Sequence, residues 1–101
     1  MNSTYYDIER CFNLLNEIWE HDTQFTSWID TKHWAYRAIV GMGQDVAPVV
    51  LASTRKSPSW IVGVLGEIYP DADRGFPIDS YGQLDKLCEY WLGMAKELGI
   101  G

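Results

Sequence analysis

Apolar side chains recur at Ile8, Cys11, Phe12, Leu15, Ile18 and Trp19, in steps of 3, 1, 3, 3 and 1. That spacing draws one stripe along a helix of 3.6-residue period. Asp7, Glu9, Arg10, Asn13, Asn16, Glu17 and Glu20 fill the opposite side. The pattern predicts a first helix from Thr4 to His21. Ser3 or Thr4 can cap its free N–H groups, and Asp7 suits the positive end of its dipole.

The next residues lose the period. Thr23, Thr26, Ser27 and Asp30 read as loop, with Phe25, Trp28 and Ile29 spaced for one anchoring helical turn. Asp30 or Thr31 is then placed to cap a second helix, Lys32 to Val40. It ends at Gly41-Met42-Gly43, where glycine can take the left-handed conformation that closes a helix. A third helix is predicted from Gln44 to Arg55, with Pro48 tolerated in the first turn. A β-branched run, Val46–Leu51, raises a strand as the alternative, and Pro48 argues against it.

Ser57-Pro58 reads as a cap followed by a first-turn proline. It opens a fourth helix carrying Ile61, Val64, Leu65 and Ile68 and stopping before Pro70. Gly63 and Gly66 within it each cost roughly 1 kcal/mol relative to alanine, so they point to close approach by another backbone. Pro70 to Asp79 reads as an irregular loop. Ser80 with Gln83 matches a capping box for the last helix. Leu84, Leu87, Cys88, Trp91, Met94, Ala95 and Leu98 form its stripe, and Gly99 closes it. Five helices without a strand-turn-strand signal predict one all-α domain over residues 1–101, its central helices packed as antiparallel neighbours.

Composition changes the picture in two respects. The chain of 101 residues carries a formal net charge of -6, which disfavours nucleic acid at long range. The charge is also segmented. Residues 1–30 hold Asp7, Glu9, Glu17, Glu20, Asp22 and Asp30 against Arg10 alone. The middle carries Lys32, Arg37, Arg55 and Lys56 against Asp45, and the last third is acidic again. Such flanks are either ordinary solvated faces or an acidic face for a basic partner. The second feature is aromatic surplus: five Trp, six Tyr and three Phe. Trp19 and Trp91 fit core stripes. Trp34 and Trp60 lie in first turns, either finishing the core or marking an interface, where Trp and Arg dominate binding energy. Arg37 lies three residues beyond Trp34 and shares its face.

Catalytic and metal chemistry find few residues. Cys11 and Cys88 lie on helix stripes far apart, so they read as small hydrophobes of a reducing cytosol. His21, ending the first helix, reads as a partner for its last carbonyls. Neither histidine has a ligand partner at zinc spacing. Asp71-Ala72-Asp73-Arg74-Gly75 begins like a calcium loop, but lacks the required ligands and glycine and reads as an acidic turn. Gly41-Met42-Gly43 lacks the rest of a phosphate loop. Glu17 and Glu20 sit on an exposed face where nothing tunes them for proton transfer. An enzyme would need a cleft in which His33 lies buried against a carboxylate. No catalytic residue, metal or cofactor is assigned. The first residues lack the pattern of a signal peptide, and no apolar run nears the roughly 20 residues of a spanning helix. A cytoplasmic protein is expected.

His33-Trp34-Ala35-Tyr36-Arg37-Ala38-Ile39-Val40-Gly41-Met42-Gly43, then Ala47-Pro48-Val49-Val50-Leu51, resembles a group of small uncharacterised bacterial proteins. Trp60, Val64-Leu65-Gly66-Glu67-Ile68 and Trp91-Leu92 continue the likeness, which covers residues 33–92. Trp34 stands where that group has proline, and the Pro70–Asp79 loop diverges. The resemblance implies one HEAT-like helical unit, a class that generally serves as protein-binding scaffold.

The expected function is therefore a non-catalytic interaction module. It would be a small bacterial or phage protein that inhibits or regulates one partner protein, such as an antitoxin, an immunity protein or an anti-defence inhibitor. Trp34, Arg37, Trp60, Asp71, Asp73 and Arg74 are the candidate partner-binding residues. A regulator touching nucleic acid through Lys32, Arg37, Arg55 and Lys56 is the alternative, with a small enzyme third and self-association into a homodimer a further option.

Overall fold

The computed structural model describes residues 3–24, 30–75 and 82–100, with side chains from Asp7 onward. Six α-helices and two 3-10 turns form among these residues, and no strand occurs among them. The all-α class follows directly from the local periodicities.

Helix α1 spans Ser3–Thr23. Phe12 and Trp19 are buried, with Ile8, Leu15 and Ile18 half-buried beside them. Cys11 departs from the predicted stripe and is exposed. The fully buried side chains of α1, Phe12 and Trp19, lie toward one flank of the predicted stripe, and Cys11 lies toward the other. Thr23 Oγ1 donates to the Trp19 carbonyl at 2.6 Å at the end of α1. Trp19 Nε1 donates to the Asp30 carbonyl at 2.8 Å, which pins the returning chain. The predicted turn through Phe25, Trp28 and Ile29 lies outside the described residues, as do Ser80 and the capping side chains of Ser3 and Thr4. Gln83 is not the third residue of the last helix, as a capping box from Ser80 requires: it is extended, at φ -108 and ψ 105, and immediately precedes Leu84, where that helix begins.

Helix α2 spans Trp34–Gly41, starting two residues later than predicted. Its cap is neither Asp30 nor Thr31. Asp30 Oδ1 instead accepts from the Lys32 N–H at 3.0 Å, a local turn that leaves capping to His33. Gly43 takes φ +68 and closes the helix as its glycines predict. A 3-10 turn, Gly43–Val46, leads into α3, Ala47–Lys56. The expected single helix from Gln44 is tightened there because Pro48 offers no N–H to an ordinary first turn. Thr54 is buried, and its hydroxyl is satisfied by the Val50 carbonyl at 2.8 Å.

The fourth predicted helix is divided. Pro58 keeps Ser57 extended, at φ -151 and ψ 100, and Ser59 is extended too. Ser59, not Ser57, supplies the capping hydroxyl, to Ile61 N–H at 3.4 Å. A 3-10 turn, Trp60–Gly63, follows, and then α4, Val64–Ile68. Pro70 does not begin a loop: it opens the single-turn helix α5, Pro70–Asp73. Proline is well suited to a first turn, which explains the restart. Helix α6 runs Leu84–Leu98 and ends at Gly99, φ +72.

The packing is not a simple succession of sequence neighbours. The main contacts of α2 are α1 and α4, and those of α3 are α6 and α1. Between them lies one core of Phe12, Trp19, Tyr36, Ile39, Val50, Leu51, Ile61, Leu65 and Trp91. Gly63 and Gly66 admit side chains, not another backbone. A Cβ on Gly63 would lie 3.0 Å from the Tyr36 hydroxyl, and one on Gly66 would lie 2.6 Å from Asp73 Oδ1. None of the described helices is long and apolar enough to cross a membrane.

Candidate functional site

The chemistry concentrates where α1 ends and α2 begins. Asp22 stands between two histidines: its Oδ2 lies 2.8 Å from His33 Nε2 and its Oδ1 lies 3.3 Å from His21 Nδ1. His21 therefore faces its neighbouring carboxylate, not the last carbonyls of α1. The His33 side chain is only 12% exposed. Its Nδ1 accepts from the Ala35 N–H at 3.0 Å, so an imidazole fills the capping role usually held by Ser, Thr, Asp or Asn.

These two contacts set the tautomer. An Nδ1 that accepts has no proton, so neutral His33 carries hydrogen on Nε2 and donates it to Asp22. Both nitrogens are thereby engaged. The bonds from His33 first, then His21, hold the Asp22 carboxyl below the usual carboxylate range. The arrangement has the carboxylate and imidazole of an acid–base pair, but both His33 nitrogens are engaged, and the His21 side chain is 80% exposed to solvent. It is a latch between α1 and α2.

Replacing His33 by alanine removes the cap and is expected to destabilise by about 1 kcal/mol. Asparagine restores a capping oxygen but not the reach to Asp22. His33→Asn should thus recover the slow amide exchange of Ala35 while losing the pH dependence carried by Asp22. The sign of that dependence is fixed: a carboxyl depressed in the fold stabilises at pH above its ordinary value of 3.8 and loses this as pH falls below it. Amide exchange and urea melts across that range test both parts.

Trp34 follows the latch and projects outward, 59% exposed. Its ring stacks on His33, with centroids 5.8 Å apart and planes at 27°. The indole is thus held from one side and open on the other. Arg37 does not extend this aromatic surface as a free cation. Its Nη1 lies 2.7 and 2.9 Å from the two Glu67 carboxylate oxygens and 3.4 Å from the Thr31 carbonyl. That pair ties α2 to α4 at the rim.

Asp73 comes to the same region, its carboxylate against Gly66 one residue before Glu67. Asp71 and Arg74 form a loose exposed pair at 3.6 Å on α5. The Tyr90 hydroxyl donates to the Ala72 carbonyl and ties this turn to α6. Trp60 is the candidate that does not join. It is half-buried against the core, in a turn that packs on α3, α4 and α6. Burial also pushes the Cys88 thiol up, in keeping with an inert core cysteine.

Sequence patterning did not single out Asp22 or Glu67. Asp22 lies 11 residues from its partner and Glu67 lies 30 from its own. Neither separation carries a periodic signal. Among the described residues no group of three His, Cys, Asp or Glu side chains is placed to hold a metal ion. Comparison with protein-family models, with curated proteins and with solved structures finds no match.

Proposed function

We propose that this chain is a non-catalytic protein-interaction module whose partner surface centres on Trp34 and is rimmed by Arg37, Glu67, Asp71, Asp73 and Arg74. The partner it would inhibit or regulate is a single protein, as an antitoxin, immunity protein or anti-defence inhibitor does. One observation carries the reading: a tryptophan left 59% exposed while the chain buries Trp19 and Trp91. Large exposed indoles are unusual, and tryptophan heads the residues that dominate interfaces. The His33 ring holds Trp34 before any partner arrives, which lowers the ordering cost of association. A scaffold of paired helices is a common platform for such surfaces.

The neighbouring chemistry supports an interface over a reaction. His33 spends one nitrogen on Ala35 and the other on Asp22. Arg37 spends its charge on Glu67, which weakens the nucleic-acid reading as well.

The test is affinity capture from the native host with the intact chain as bait, with Trp34→Ala in parallel. The unsubstituted chain should retain one stoichiometric protein, and Trp34→Ala should lose it by tenfold or so. The same substitution should leave stability within about 0.5 kcal/mol, since the ring is outside the core. A partner held equally by both chains refutes the assignment of Trp34. Retention of nucleic acid at low salt would favour the alternative.

A further inference from the structure

We infer that His33 is a proton-sensitive clasp: the neutral ring closes the first turn of α2 and holds Trp34, and a proton on Nδ1 releases both. The cap is unusual in its acceptor. Ser, Thr, Asp and Asn cap with an oxygen that remains an acceptor across roughly pH 5 to 8. Nδ1 of His33 accepts from the Ala35 N–H at 3.0 Å, and it can do so only while it carries no proton. Imidazole is the side chain whose ordinary titration falls in that interval. Trp34 depends on the same ring, because its indole stacks on His33 with planes at 27°.

Charge decides which way the ring moves. An imidazolium in the cap would point a second N–H at that of Ala35 and at the positive end of the α2 dipole. Its side chain, 12% exposed, would also be held away from water. Asp22 bonds the opposite nitrogen, at 2.8 Å, and favours the charged ring. Both demands are met when Nδ1 turns out to water with Asp22 still paired. The other charged groups around α2 take neither role. Helix α1 brings His21 behind Asp22, and α4 brings Glu67, whose carboxylate is taken by Arg37. The Gly43–Val46 turn brings Asp45, exposed and in no ion pair among the described residues. Lys32, just before the ring, has its backbone N–H on Asp30 Oδ1. The Arg37 N–H keeps its bond to the His33 carbonyl, at 3.0 Å, so the opening is confined to the first turn. The sign follows: the cap is present while the ring is neutral and is lost as pH falls through the ring's titration. The inference deepens the reading of Trp34 as the partner surface, on which its consequence for binding rests: acid loosens the anchor.

The test needs no partner, so it succeeds or fails apart from the capture experiment. The intact nitrogen-labelled chain is titrated by NMR from about pH 8 to about pH 5, the interval in which imidazoles change charge. Asp22, held below the ordinary carboxylate range, keeps its charge throughout. Ring nitrogen shifts report the proton on His33 Nδ1. As it arrives, protection of the Ala35 amide from exchange is expected to fall about fivefold, the loss of one cap. The Trp34 indole N–H resonance, assigned by its absence in Trp34→Phe, should move in step. His33→Asn keeps a capping oxygen and should abolish both responses. His21→Gln removes the other imidazole on Asp22 and should leave both in place. A His33 ring that stays neutral down to about pH 5 overturns the inference. So does a protonated His33 with undiminished Ala35 protection or an unmoved Trp34 resonance, a response that survives in His33→Asn, or one that disappears in His21→Gln.

Discussion

Trp91→Ala is expected to lower stability by about 3–5 kcal/mol, the usual cost of removing a large buried ring. Set against a total of roughly 5–15 kcal/mol for a domain of this kind, that is enough to leave the chain near unfolding at physiological temperature. Trp91 is 1% exposed on α6, which packs on α3 and on the Trp60–Gly63 turn. Its ring also meets Tyr90 edge-on, with centroids 5.4 Å apart. The more informative substitution is Trp91→Phe. The indole Nε1–H is buried and finds no acceptor among the described residues. An orphan donor of that kind costs about 1–3 kcal/mol, and phenylalanine abolishes it while keeping most of the ring. The loss of volume and the removal of the orphan oppose each other, so Trp91→Phe should stay within about 1 kcal/mol of the parent. Urea melts of the two variants test this. If phenylalanine costs as much as alanine, the N–H was contributing a bond and the argument fails.

Gly63→Ala is expected to destabilise by about 1–3 kcal/mol, although alanine is the better helix former by about 1 kcal/mol. The new Cβ would stand 3.0 Å from the Tyr36 hydroxyl. Tyr36 cannot easily yield: it is 2% exposed, and its ring lies 5.6 Å from that of Trp19. Burial, then the charge of Glu67, pushes the Tyr36 phenol above its ordinary range, so a neutral hydroxyl is what meets Gly63. Tyr36→Phe removes that oxygen. The double variant should therefore recover part of the loss, with a coupling of about 0.5–3 kcal/mol between the two sites. Strictly additive effects would show that the hydroxyl and the new methyl group do not collide. Because Tyr36 sits between Ala35 and Arg37 on α2, the same collision should disturb the Arg37–Glu67 pair and the seating of Trp34. Loss of partner binding in Gly63→Ala, restored by Tyr36→Phe, would link this core contact to the surface.

The long stripes of α1 and α6 were legible because a helix's buried face repeats within one turn and needs no knowledge of its neighbours. The αL closures at Gly43 and Gly99 were legible for the same local reason. Prolines were read less well. Pro58 extended the chain ahead of its helix, where Ser59 took over the cap, and Pro70 restarted a helix that has no side-chain cap. Cys11 shows the limit of a stripe: periodicity identifies the arc, and only the packing of the other helices against it decides which flank is covered.

The candidate site was legible by residue type but not by partnership. Trp34 and Trp60 occupy equivalent first-turn positions, and nothing local separates them. One stands outside because α2 turns its first residue away from α1 and α4, while the other is covered where α3, α4 and α6 converge. Arg37 looked free until α4 brought Glu67 to it, and no sequence signal named the carboxylate that meets His33 until α1 returned Asp22. Helix positions, core faces and net acidity are properties of short-range order and composition, so the chain specifies them on its own. Which charges are cancelled, which histidine nitrogen carries hydrogen and which indole meets solvent arise from contacts across 11 and 30 residues, and only the packed helices bring those groups within bonding distance.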